Sequence, residues 1–167
     1  MANAQRPVVN QRLYFCKLHL DWLAQQLANQ DIPKSVLEQS LGESILFHLI
    51  NSYQAYLAEI AIAYNLPPAD FINADTLIEA LKQGGFYSAE ANELRELELA
   101  DSWLSRLIRE YQAVGPIYRA GKSSNNSQIV AFSSQDNSGT MDLDVLKQCW
   151  QQLSGVIENQ RARLEEW

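Results

Sequence analysis

The chain has 167 residues, 47% of them apolar and 20% charged, which is the makeup of one globular domain with its own core. Thirteen basic against twenty acidic residues leave a net charge of −7 with neutral histidines. This argues against the basic face that a duplex nucleic-acid binder carries, so no nucleic-acid partner is expected.

Apolar residues recur at alternating steps of three and four, the spacing of helices with buried stripes. The first helix is predicted from about Pro7 to Asn29. Val9, Leu13, Cys16, Leu20, Leu23 and Leu27 form one stripe; Phe15, Leu18 and Trp22 form a second on another face. A helix apolar on two faces is either central or covered by another chain. The second predicted helix runs from Pro33 to Asn65. Asp31 is in place to cap it, Pro33 suits its first turn, and Pro67-Pro68 follow its end. Leu46, Ile50, Tyr53, Leu57, Ile60 and Tyr64 make its apolar ridge. Beside that ridge runs a mixed row containing His48, Ser52 and Glu59.

A short helix is predicted over Asp75–Gln83, ended by Gly84-Gly85. One long helix is then expected from Ser88, its N-cap, to Val114, with Gly115-Pro116 as its stop. The stretch from 115 to 140 is rich in Ser, Asn and Gly and has no helical period. Ile129–Phe132 is a possible strand there, pairing with Ile117-Tyr118, and Lys122–Gln128 is expected to be mobile. The last helix spans Asp142–Glu165, with Leu143, Leu146, Trp150, Leu153, Ile157 and Leu164 on its ridge. Four long helices with modest connections predict an all-α fold. Its expected form is an antiparallel four-helix bundle with one short extra helix and a flexible loop near 120–140, a single domain over 1–167.

Several stretches taken in order resemble a known family. They are Asn10-Gln-Arg-Leu-Tyr-Phe15 with Trp22, then Glu43-Ser-Ile-Leu-Phe-His-Leu49, then Glu59-Ile-Ala61 before Tyr64-Asn-Leu-Pro67. Trp103-Leu104, Tyr111 and Trp150 complete the set. They resemble small, uncharacterised, all-helical proteins of gammaproteobacteria classed as a domain of unknown function. The likeness spans the chain except Ala120 to Gly139. It implies a helical bundle and a cytoplasmic setting, and it lends no activity, so no catalytic residue is carried over.

The residues add little chemistry. The only histidines are His19 and His48, and neither follows a Glu at the spacing of a di-iron bundle, so no metal and no cofactor is expected. Cys16 and Cys149 fall in apolar patterns and read as buried small hydrophobes rather than a disulfide or a nucleophile. Gly121-Lys122-Ser123 is like the end of a phosphate-binding loop, but Pro116 stands where that loop needs its first glycine. No apolar run is long enough to span a bilayer and no signal-peptide core opens the chain, so a cytoplasmic protein without a membrane partner is expected.

Three functional readings follow. Phe15, Trp22, Leu99, Trp103 and Arg106 are candidate interface residues, as Trp167 would also be by its position off the ridges. They point to a protein-interaction module that pairs with its own copy or with another protein. Arg12 and His19, seven residues apart on one helix face, resemble the Arg-x(4–6)-His pattern of HEPN ribonucleases, which implies metal-independent RNA cleavage. His48, Ser52, Glu59 and Asp101 are candidate lining residues of a small-ligand pocket. Glu59 can equally be tied to an Arg or Tyr of a neighbouring helix.

Overall fold

The computed structural model describes residues 4–67, 69–114 and 141–165. The described residues form six helices and no strand: α1 (Arg6–Asn29), α2 (Lys34–Ala63), α3 (Ala74–Gln83), α4 (Ala89–Leu99), α5 (Trp103–Val114) and α6 (Leu143–Glu165). The predicted hairpin of Ile117-Tyr118 with Ile129–Phe132, the flexible loop near 120–140, Gly121-Lys122-Ser123 and Trp167 lie outside the described residues.

Local chemistry sets most boundaries. Asn73 opens α3 with a capping box: its Oδ1 accepts from the Thr76 amide at 2.9 Å, and the Asn73 amide donates to Thr76 Oγ1 at 3.4 Å. After α3 the chain turns through Gly85 at φ +79°, a conformation that strains any side chain, and Phe86 donates back to the Leu81 carbonyl at 2.8 Å. Ser88 caps α4 through the Ala91 amide at 3.1 Å, and Asp142 caps α6 through the Val145 amide at 2.9 Å. The expected cap by Asp31 is absent. Pro33 itself precedes α2, and no side chain caps that end.

The predicted single helix over 88–114 is two helices. Ala100 is extended (ψ 165°), and Ser102 restarts the chain. Its Oγ accepts from the Leu104 and Ser105 amides at 3.1 and 3.4 Å and donates to the Leu97 carbonyl at 2.6 Å. One serine thus caps the new helix and satisfies a carbonyl at the end of the old one.

α2 is the axis of the fold. It packs against α1 most extensively and against α6, α5, α3 and α4. The core is built from Tyr53, Leu57 and Ile60 of the predicted α2 ridge and from Ile45 and Leu49 beside it, together with Leu20 and Leu23 of α1, Leu104 and Leu107 of α5, and Leu153 and Ile157 of α6. Cys16 and Cys149 are buried free thiols, as expected; burial pushes both up from their ordinary range, which makes them inert.

Several polar groups within this core are paired. Gln160 of α6 is fully buried, accepts from the Tyr56 hydroxyl at 3.0 Å and donates to Glu93 and to the Glu90 carbonyl. Arg161 forks onto both oxygens of Glu59, Nε to Oε1 at 2.7 Å and Nη2 to Oε2 at 2.6 Å, and reaches Asn10 of α1 at 2.9 Å. Tyr53 donates to Glu98 at 2.6 Å, and His19 meets Ser44 at 2.9 Å. No helix among the described residues is long and apolar enough to cross a membrane.

Candidate functional site

α1 carries apolar side chains all round, and only part of them reaches the core. Val9, Cys16, Leu20 and Leu23 are buried. On the opposite side Tyr14, Leu18 and Trp22 recur every four residues and remain 58%, 44% and 51% exposed. Side chains four apart lie above one another, so these three form a continuous stripe. Phe47 of α2, 45% exposed, and half-buried Phe15 lie at the α1–α2 seam, each against His48.

His48 joins the two helices at that seam. Its ring takes the edge of Phe15 at a centroid distance of 5.8 Å and of Phe47 at 5.5 Å. It also packs at 4.8 Å and 83° against His19, whose Nδ1 is 2.9 Å from Ser44 Oγ. His48 Nδ1 is buried with no hydrogen-bond partner among the described residues. Burial first, then the neighbouring charges of His19 and Arg12, hold its pKa below the ordinary 6.5. The ring therefore sits neutral among aromatic edges at physiological pH.

This cluster is poorly equipped for catalysis. Ser44 and His19 are within reach of a nucleophile–base pair, but no carboxylate is bonded to His19 among the described residues. Ser44 also lies inside α2, where backbone amides are used by the helix and cannot form an oxyanion hole. No group of three or more metal-binding side chains gathers among the described residues.

The interface candidates fall into two sets. Phe15 and Trp22 belong to the α1–α2 surface. Leu99 ends α4 and is 71% exposed, Trp103 opens α5 half-buried against the core, and Arg106 is exposed one turn later. The break at 100–102 gives Leu99 and Trp103 different helix axes, so they do not share a helical face. The pocket candidates are likewise dispersed. His48 and Glu59 are eleven residues apart on α2, about 16 Å along its axis. Ser52 returns its hydroxyl to the His48 carbonyl at 2.7 Å, Glu59 is engaged by Arg161, and Asp101 is exposed in the α4–α5 break. The sequence reading missed Tyr14 and Phe47, although the Tyr14–Leu18–Trp22 spacing carries the signal.

The model of a family of unknown function, DUF6586, matches residues 1–167. The chain belongs to this family. No curated protein and no solved structure matches it. The family description names no activity, so a functional reading of this DUF6586 chain rests on its own surface and side chains.

Proposed function

We propose that the protein is a non-enzymatic, cytoplasmic interaction module that pairs with a second copy of itself through the α1–α2 aromatic face. One observation carries this: Tyr14, Leu18 and Trp22 form an apolar stripe on α1, with Phe47 exposed on α2, that the other described residues leave uncovered. Soluble chains seldom leave such a stripe wet, and aromatic residues dominate the buried centres of interfaces. The stripe is also self-complementary. Lys17 and Asp21, both exposed, flank Leu18 one turn apart. Two α1 helices crossing in opposite senses about a twofold axis set each Lys17 against the other copy's Asp21.

The scaffold we infer is a single domain, an antiparallel four-helix bundle in which α4 and α5 together make one broken rod. Residue pairings support it. Asn10 near Glu59 through Arg161 with His19 beside Ser44 run α1 against α2, and Glu90 beside Tyr64 with Glu98 beside Tyr53 run α4 against it, while Leu146 near Gly42 and Arg161 on Glu59 run α6 along it.

The test is mass in solution by light scattering. The native chain is expected to approach dimer mass with rising concentration, and Leu18→Glu or Trp22→Ala to stay monomeric with an unchanged circular dichroism spectrum. A native chain that is monomeric at millimolar concentration refutes the proposal.

A second reading, metal-independent RNA cleavage by Arg12 and His19, gains from the packing of His48 against His19 near Arg12. Incubation with RNA in chelator tests it: cleavage lost in His19→Ala supports it, and intact RNA ends it.

A further inference from the structure

A cleft of about 410 Å³ opens between α2, α3, α4 and α5, on helices other than the α1 stripe. Its volume lies within the range of roughly 300–1,000 Å³ typical of small-molecule sites. Ile50, Ile72, Leu99, Ile108 and Tyr111 give it apolar walls. Ile72 and Leu99 are each 71% exposed, an unusual degree for side chains of this size. Glu98 and Tyr53 also line it.

Glu98 is held rigidly. Its Oε1 accepts from the Tyr53 hydroxyl at 2.6 Å and from the Ala74 amide, at the first turn of α3, at 3.0 Å. Oε2 has no hydrogen-bond partner among the described residues. Glu98 thus brings a fixed carboxylate with one open oxygen to a cleft that Gln54, Asn73, Ser105 and Gln112 also line. The second carboxylate of the lining, Asp75, is already matched by Arg95 at 2.6 Å. Glu98 is therefore the lining carboxylate without a basic partner among the described residues, and burial lifts its pKa above the ordinary range, a cost that a bound cation offsets.

We infer that this cleft binds a small organic ammonium ion with an apolar body, its head on Glu98 and its body against Ile72, Leu99 and Ile108. An anion meets repulsion both from Glu98 and from the net charge of −7, which draws cations toward the surface. A bare metal ion finds no set of three ligands among the described residues. A neutral alcohol fits the walls but forgoes the charge-assisted hydrogen bond. The Tyr53–Glu98–Ala74 contacts also fasten α2, α3 and α4 together, and that fastening uses only Oε1, so the two roles separate experimentally.

The full chain is titrated with n-hexylammonium, n-hexanoate and n-hexanol by calorimetry, with amide NMR shifts locating the contact. Hexylammonium is expected to bind saturably and to move the Ile72 and Leu99 amides. Hexanoate is expected not to bind, and hexanol to bind more weakly. Glu98→Gln keeps an oxygen for Tyr53 and Ala74 and should weaken hexylammonium binding about tenfold or more. Leu99→Lys, an exposed substitution that leaves the Glu98 contacts in place, should weaken it to a similar degree by adding a cation at the mouth. No saturable hexylammonium binding, equal binding of hexanoate, or unchanged affinity in Leu99→Lys overturns the inference.

Discussion

Removing Arg161 is expected to be among the most damaging single substitutions in this chain. Its side chain is 11% exposed and that of Glu59 6%, with both Glu59 oxygens engaged at 2.7 and 2.6 Å. Arg161→Leu takes a two-pronged counter-charge from that buried carboxylate and strips a bond from Asn10. Breaking a buried pair from one side costs about 3–5 kcal/mol. Against a typical total of about 5–15 kcal/mol this is a large share, and for a domain of this size it lowers Tm by on the order of 10 °C. The double variant Glu59→Leu/Arg161→Leu removes both charges and should recover to within about 2 kcal/mol of the native chain. Urea and thermal unfolding followed by far-UV circular dichroism measure both. The reasoning fails if the single variant loses less than about 1 kcal/mol, or if the double is as unstable as the single.

Ser102→Ala removes the cap of α5 and the bond to the Leu97 carbonyl, and should cost about 1–2 kcal/mol in urea unfolding with an unchanged m-value. Gly155→Ala should stabilise by about 0.5–1 kcal/mol, because Gly155 lies inside α6 and a Cβ there meets nothing within 4 Å; a lower Tm would contradict this. His48 is held below its ordinary 6.5 by burial and by the charges of His19 and Arg12, so on acidification the unfolded chain takes up its proton first. Stability should therefore fall as pH drops through and below the unfolded value, levelling off once the folded ring also titrates. The urea midpoint measured from neutral to mildly acidic pH should lose this component in His48→Phe; an unaltered profile would count against a neutral His48.

The long ridges were readable in the sequence because burial imposes a period. Val9, Cys16, Leu20 and Leu23 mark the inner face of α1, and Tyr53, Leu57 and Ile60 that of α2. The break after Leu99 was not readable by the same signal. Ala100-Asp-Ser102 contains no glycine or proline, and Leu97, Leu104 and Leu107 keep step across it, so the interruption shows only in the bonding of one hydroxyl. Glu59 was read both as a pocket residue and as half of an ion pair, since its position on α2 fits either; its partner Arg161 lies 102 residues away, and only the tertiary structure brings them together. The Glu98 carboxylate escaped notice for a related reason. One carboxylate among twenty acidic residues has no distinguishing neighbour in the sequence, and its tyrosine and its helix start arrive from α2 and α3.

α2 gives α1, α4 and α6 each at least one directional polar partner: Ser44 to α1, Tyr53 to α4, and Tyr56 with Glu59 to α6. Leucine ridges by themselves permit a rod to slip by one turn and still hide its oily surface. A slip here would strand the Glu59 anion and the Gln160 amide in a dry interior, a cost that grease cannot refund. The alignment of the rods is therefore locked by a few heteroatoms, while the cohesion that holds them together comes from the hydrocarbon around them.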